Sequence, residues 1–248
     1  VRFTPNNDSI KELSMNLPSN IDPCPIVDAL LEVRFTSIIN ANAVFGIIYN
    51  VLQNDFPKVE SLPILQLPDI IKANDPNFKY KPYYKISNDR FVVQIGPEVI
   101  TISSFPTYQG WDLFSQIILD VLSKVENIKI INTIERIGIR YINFFETNIF
   151  EKINLKVYLE EDEIQYNNTI VRTEIEQGEF KSTLQTANNA IINEKIGSII
   201  DIDTFTTNNL ESFFSRKIEI IEAGHLKEKE LFFSLLKTEF LNTLHPKY

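Results

Sequence analysis

Glu135-Arg136-Ile137-Gly138-Ile139-Arg140-Tyr141 is the stretch on which the fold turns. Ile137, Ile139 and Tyr141 fall on one side of an extended chain, with Arg136, Gly138 and Arg140 on the other. That period of two is what a half-buried strand requires, and it predicts a strand over 131–145. The segment before it has the other period. Trp111, Phe114, Ile118, Val121, Leu122 and Val125 make one stripe at helical spacing, predicting a helix from about 110 to 125.

The same alternation marks Ala29-Leu30-Leu31-Glu32-Val33-Arg34-Phe35, where Leu31, Val33 and Phe35 share a face and Glu32 and Arg34 the opposite one. A helix follows from Asn40 to Asn54 and ends at Pro57. The stretch 58–76 carries three prolines and reads as loop with a short extended piece. Strands are predicted near 78–86 and 90–95, then at 99–104 after the turn Gly96-Pro97-Glu98. Toward the C-terminus come strands near 153–160, 169–177, 179–187 and 197–206, with Gly178 in a turn. Two helices follow, about 208–222 and 225–243, broken by Gly224, with Leu226, Phe233, Leu236, Phe240 and Leu244 along one side of the last.

Hairpin-like strands with helices gathered at intervals indicate an α+β fold, a mainly antiparallel sheet with amphipathic helices packed on it. Residues 1–24, with Pro5, Pro18 and Pro23, read as an arm. The rest divides into 25–148 and 149–248, each half strands followed by helix, with no residue-level repeat between them.

Composition narrows the function. The chain has 248 residues, 24 Lys and Arg against 33 Asp and Glu, and a net charge of −9, a balance that disfavours a large phosphate-binding surface. One local exception is Lys79, Lys81, Lys85 and Arg90 interleaved with Tyr80, Tyr83 and Tyr84, the mixture single-stranded nucleic acid uses for phosphate contact and stacking. The plainer reading of that segment is a solvated strand with extended lysines. The seven glycines form no phosphate-binding loop, so neither an NTPase nor a dinucleotide enzyme is indicated. The only histidines are His225 and His245, so a metal site or hydrolase would rest on His225 alone. Cys24 is the single cysteine, a plain thiol between Pro23 and Pro25. No cofactor, metal ligand or catalytic residue is assigned from the sequence.

The candidate site is a charged network. Asp201 and Asp203 project from one face of their strand, a spacing that could hold Mg²⁺ or share a proton. Arg136 and Arg140 share a face with matching spacing, so a structural Arg–Asp network is the expectation, with Glu32 and Arg34 on the polar face of the first strand as further members. Glu160-Glu161-Asp162-Glu163 reads as a solvated hairpin tip, and Trp111 as core.

Several blocks together resemble a family of uncharacterised proteins sporadically distributed in bacteria and archaea. Pro25-Ile26-Val27-Asp28-Ala29-Leu30-Leu31-Glu32-Val33-Arg34-Phe35 is similar to its N-terminal signature, apart from aspartate where that signature more often has glutamate. Tyr108, Trp111 and Phe114 followed by Arg136-Ile137-Gly138-Ile139-Arg140-Tyr141-Ile142-Asn143 resemble its middle block. Asp201-Ile202-Asp203 resembles its third block, and His225 with Phe233 its last. The resemblance implies a single-unit architecture and no particular reaction. The patchy distribution of such families suggests accessory loci such as defence systems, by analogy alone.

The functional expectation is a non-enzymatic accessory protein of a bacterial defence or regulatory locus that binds another protein, with self-association as a variant. The alternative is a sensor of a small anion or nucleotide, or an enzyme, using the sheet arginines and aspartates. No apolar run reaches the ~20 residues that span a bilayer, and the start lacks a secretory layout, so a cytoplasmic location is expected. The chain begins at Val1 and its only methionine is Met15.

Overall fold

The computed structural model describes residues 17–248, so most of the expected arm, Met15 included, lies outside the described residues. The elements in chain order are β1 (Ile26–Ser37), α1 (Ala41–Leu52), β2 (Lys58–Ser61), α2 (Asp69–Asn74), β3 (Tyr84–Ser87), β4 (Phe91–Ile95), β5 (Val99–Ser104) and α3 (Trp111–Asn127). Then come β6 (Ile131–Phe145), β7 (Tyr158–Leu159), β8 (Asp162–Glu163), β9 (Ile170–Gln177), β10 (Phe180–Ile192), β11 (Lys195–Thr206), α4 (Phe213–Leu235) and α5 (Thr238–Thr243). Nine strands are hydrogen-bonded in the order β2-β3-β4-β5-β1-β6-β11-β10-β9, and β7 pairs with β8. The fold is α+β with a mainly antiparallel sheet.

Two compact units interleave along the chain, so neither coincides with 25–148 or 149–248. One comprises Asp28–Arg140 and Phe205–Gly224, the other residues 17–27, Tyr141–Thr204 and His225–Tyr248. In the first, β1 to β5 form an antiparallel ladder in which Glu32 faces Thr101, and Thr101 faces Gln94. Leu31, Val33, Phe35, Ile100 and Ile102 are fully buried on one side of that ladder. The apolar stripes of α1 (Val44, Ile48, Leu52) and α3 (Phe114, Ile118, Val121) are buried too. Asn40 caps α1, its Oδ1 accepting from Asn42 N at 3.0 Å. In the second unit, Leu184, Ile200 and Ile202 from β10 and β11 pack with Phe145, Ile149, Phe150 and the α4 residues Leu231, Phe232 and Leu235.

Four expectations need correction. The stretch 58–76 holds β2, a 3₁₀ turn (Pro63–Gln66) and α2, not mainly loop. Helix and turn start just after or at Pro68 and Pro63, where a missing N–H costs nothing. The strand placed at 78–86 begins at Tyr84, because Lys81 N bonds Phe78 O in a turn and Pro82 offers no N–H. Of 153–160 only Tyr158–Leu159 is strand. Ile153 forms an isolated bridge with Leu236, and Asn154 N bonds Leu235 O, which ties this segment to the end of α4. Finally, α4 runs unbroken through Gly224. A mid-helix glycine costs about 1 kcal/mol, which burial of the flanking Ile220, Ile221 and Leu231 outweighs.

Candidate functional site

The charged candidates of the first unit form a closed cluster. Glu32 Oε1 accepts from Arg34 Nε and from Arg136 Nη1, both at 2.7 Å. Arg136 is only 8% exposed, and its guanidinium also lies 4.2 Å from the centre of the Phe205 ring. Gly138 makes this possible. A Cβ there would sit 2.3 Å from Arg136 Nη1, so the guanidinium can fold back over its own strand only where a side chain is missing. Arg34 in turn lies 4.6 Å from the centre of the Tyr80 ring.

The basic and aromatic segment 79–90 is bound into the same unit. Tyr80 donates its hydroxyl to Glu135 Oε2 at 2.6 Å, and Lys79 reaches that oxygen at 3.3 Å. The Tyr80 hydrogen bond, ahead of the Lys79 charge, holds the Glu135 carboxyl below the usual range; burial raises the Tyr80 phenol. Lys85 pairs with Glu60 at 3.1 Å, and Tyr84 stacks on Phe45 with centroids 3.7 Å apart. Lys79, Lys85, Tyr80 and Tyr84, four of the residues a single-stranded nucleic acid would need, are thus engaged within the protein.

One partner of Arg136 is Glu32, a residue the sequence placed in the network without naming this pairing. Asp201 is buried, Arg140 and Asp203 are half-buried, and none of the three is without a partner. Trp111 is half-buried rather than core and donates its indole N–H to Glu222 at 3.1 Å. Glu160 to Glu163 lie exposed at the β7–β8 turn, as the charge run suggests. Cys24 is exposed, and partial desolvation raises its thiol above the ordinary value.

The second unit carries features that sequence reasoning missed. On α4, His225 Nδ1 and the Tyr141 hydroxyl are 3.2 Å apart, and burial, ahead of the Lys229 charge, depresses the imidazole to about 3. One turn on, Glu228 is 5% exposed and burial pushes its carboxyl up to about 8. Both groups are neutral at pH 7.

The other missed feature is the end of the β10–β11 hairpin. Asn193 and Glu194 both have positive φ (48° and 66°), so a two-residue turn of the primed kind joins Ile192 to Lys195 and sets Ile191 opposite Ile196. These isoleucines are 69% and 68% exposed. Pairing with β9 stops at Ala187–Ile170, and β10 bends at Asn189 (φ 57°), so among the described residues no strand pairs the outer edge of 190–192. Beside this end lies a cavity of about 290 Å³ whose lining includes Asn148, Asn167, Asn188, Asn189, Ile196 and Ser198.

Neither a protein-family model nor a curated protein sequence matches the chain. Among the described residues no helix is long and apolar enough to cross a membrane, and no cluster of three or more His, Cys, Asp or Glu residues is disposed to hold a metal ion.

Proposed function

We propose that the protein works by binding another protein, as a non-enzymatic accessory component of a defence or regulatory locus, and that an extended segment of that partner adds as a strand to the open edge of β10. The observation that supports this is the hairpin end, where 190–192 outrun β9 and present exposed Ile191 and Ile196 side by side. An unpaired strand edge offers main-chain donors and acceptors in register for an incoming strand, and the isoleucine pair adds apolar area beside it. The locus part of the reading rests on the resemblance of the Pro25–Phe35 and Arg136–Asn143 blocks alone.

The alternative, an anion sensor or enzyme built on the sheet arginines, has less to stand on. Arg136 is buried between Glu32 and Phe205, so its guanidinium cannot reach a ligand without abandoning both.

The test is co-purification with the products of neighbouring genes, comparing the wild-type chain with Ile191→Lys. A bound product whose retention falls about 10-fold or more in the variant, together with slowed amide exchange at 190–192 in the wild-type complex, is the expected result. A wild-type protein that stays monomeric and retains no product, or a product held equally by the variant, overturns the proposal.

A further inference from the structure

The cavity beside the hairpin has a definite hydrogen-bonding character once its internal bonds are accounted for. Asn188 Oδ1 accepts from Thr169 N at 2.8 Å while its Nδ2 donates to Tyr166 O. Asn148 does the same in mirror fashion, accepting from Phe150 N at 3.3 Å and donating to Tyr166 O at 3.2 Å. Asn189 Nδ2 donates to Asn167 O. The Ser198 hydroxyl spends its proton on Thr147 O at 2.7 Å and accepts from Ile149 N at 3.1 Å.

A carboxamide has two N–H groups and one oxygen. The bonds above use one N–H of each of Asn148, Asn188 and Asn189, and one lone pair on each of the oxygens of Asn148 and Asn188. What the lining has left over is of both kinds: one N–H on each of three amides, a second lone pair on the Asn148 and Asn188 oxygens, and the Asn189 oxygen. Charge is balanced, because Glu146 on the lining is paired with Lys195. A neutral lining with donors and acceptors both left over suits an uncharged group that itself donates and accepts, as a carboxamide does. A lysine or arginine side chain only donates and would leave the spare amide N–H groups without an acceptor. A carboxylate only accepts, and it would lose hydration beside Glu146, which already holds the Lys195 ammonium.

We infer that this cavity receives the uncharged, oxygen-bearing side chain of a glutamine or asparagine on the strand that adds to β10. The inference rests on the strand-addition reading and deepens it by naming the side chain that the edge selects. Asn188 and Asn189 place the cavity where the β9–β10 pairing ends, and Ile196 gives it one apolar wall against the methylene groups of the incoming side chain.

The probes are short acetylated peptides of alternating threonine and valine whose central residue is Gln, Leu, Glu or Lys, titrated against the full chain by fluorescence anisotropy. The Gln peptide is expected to bind about 10-fold tighter than the other three, the worth of one or two hydrogen bonds. Asn189→Ala, on an exposed residue, is expected to erase that preference while leaving the Leu peptide's affinity unchanged. Ile191→Lys is expected to weaken all four alike. Equal affinities across the four peptides, or a Gln preference that survives Asn189→Ala, overturn the inference and leave strand addition standing. Failure of every peptide to bind overturns strand addition and this inference with it.

Discussion

The Arg136 cluster and the asparagine-lined cavity are both polar, and they dispose of their hydrogen-bonding capacity in opposite ways. Around Arg136 one carboxylate oxygen takes two guanidinium groups, and the Phe205 ring lies against one of them. Around Asn188 the amides satisfy the backbone of their own loops and still keep donors in reserve. Charged residues are expensive to leave half-paired in the interior, so a fold that buries them must close the set. Neutral amides tolerate a spare N–H facing water, and that tolerance is what lets a site wait for a ligand.

The widest gap between the two regions should appear on truncation. Arg136→Ala is expected to cost about 3–5 kcal/mol in urea denaturation, because Glu32 loses a buried partner. An unchanged midpoint would mean the cluster is not closed and would break the contrast. Glu228 sharpens it from another side, as a carboxyl that burial keeps neutral. Its folded value of about 8 exceeds the ordinary 4.5, so its stabilising contribution is full below pH 4.5 and is lost as pH rises through 8. His225 runs the other way: held at about 3 instead of 6.5, it contributes fully above pH 6.5 and loses that contribution as pH falls through 3. The opposing slopes cancel between pH 4.5 and 6.5, giving a plateau there. Between pH 6.5 and 8 the wild type should lose about 2 kcal/mol, and Glu228→Gln should not. A variant whose loss matches the wild type's would remove Glu228 from the account.

Smaller effects are expected at the hairpin. Glu194 holds φ 66° with a full side chain, so Glu194→Gly should raise stability by about 0.5–1 kcal/mol, read as a higher melting temperature. A lower one would argue against the two-residue turn that aligns Ile191 with Ile196. Smallest is Ile191→Lys, which should shift stability by less than about 0.5 kcal/mol, since the side chain is exposed. A loss of several kcal/mol would make that residue part of the scaffold and erase the distinction.

Legibility in the sequence followed the same division. The strand at 131–145 and the helix from about 110 to 125 are legible because each buries a single face, which imposes its period on the residues. Helix α4 is not legible as one element, because a glycine punctuates sequence more strongly than it breaks a helix with buried sides. Spacing along β6 shows that Arg136 and Arg140 share a face. It cannot show that the acid bonded to Arg136 stands 104 residues earlier, on β1. The cavity was illegible for a different reason. Asparagine is the ordinary residue of turns, and Asn148, Asn167, Asn188 and Asn189 lie at the ends of elements where turns are expected.

The outermost strand, β9, carries exposed Arg172, Glu174 and Glu176, charges that discourage another strand from docking along it. Residues 190–192 extend past β9 and carry no such charges, and their opposite side is already taken by β11. Two copies meeting there would each consume the other's vacancy. Association by this route therefore stops at a pair and has no means of growing into a fibre.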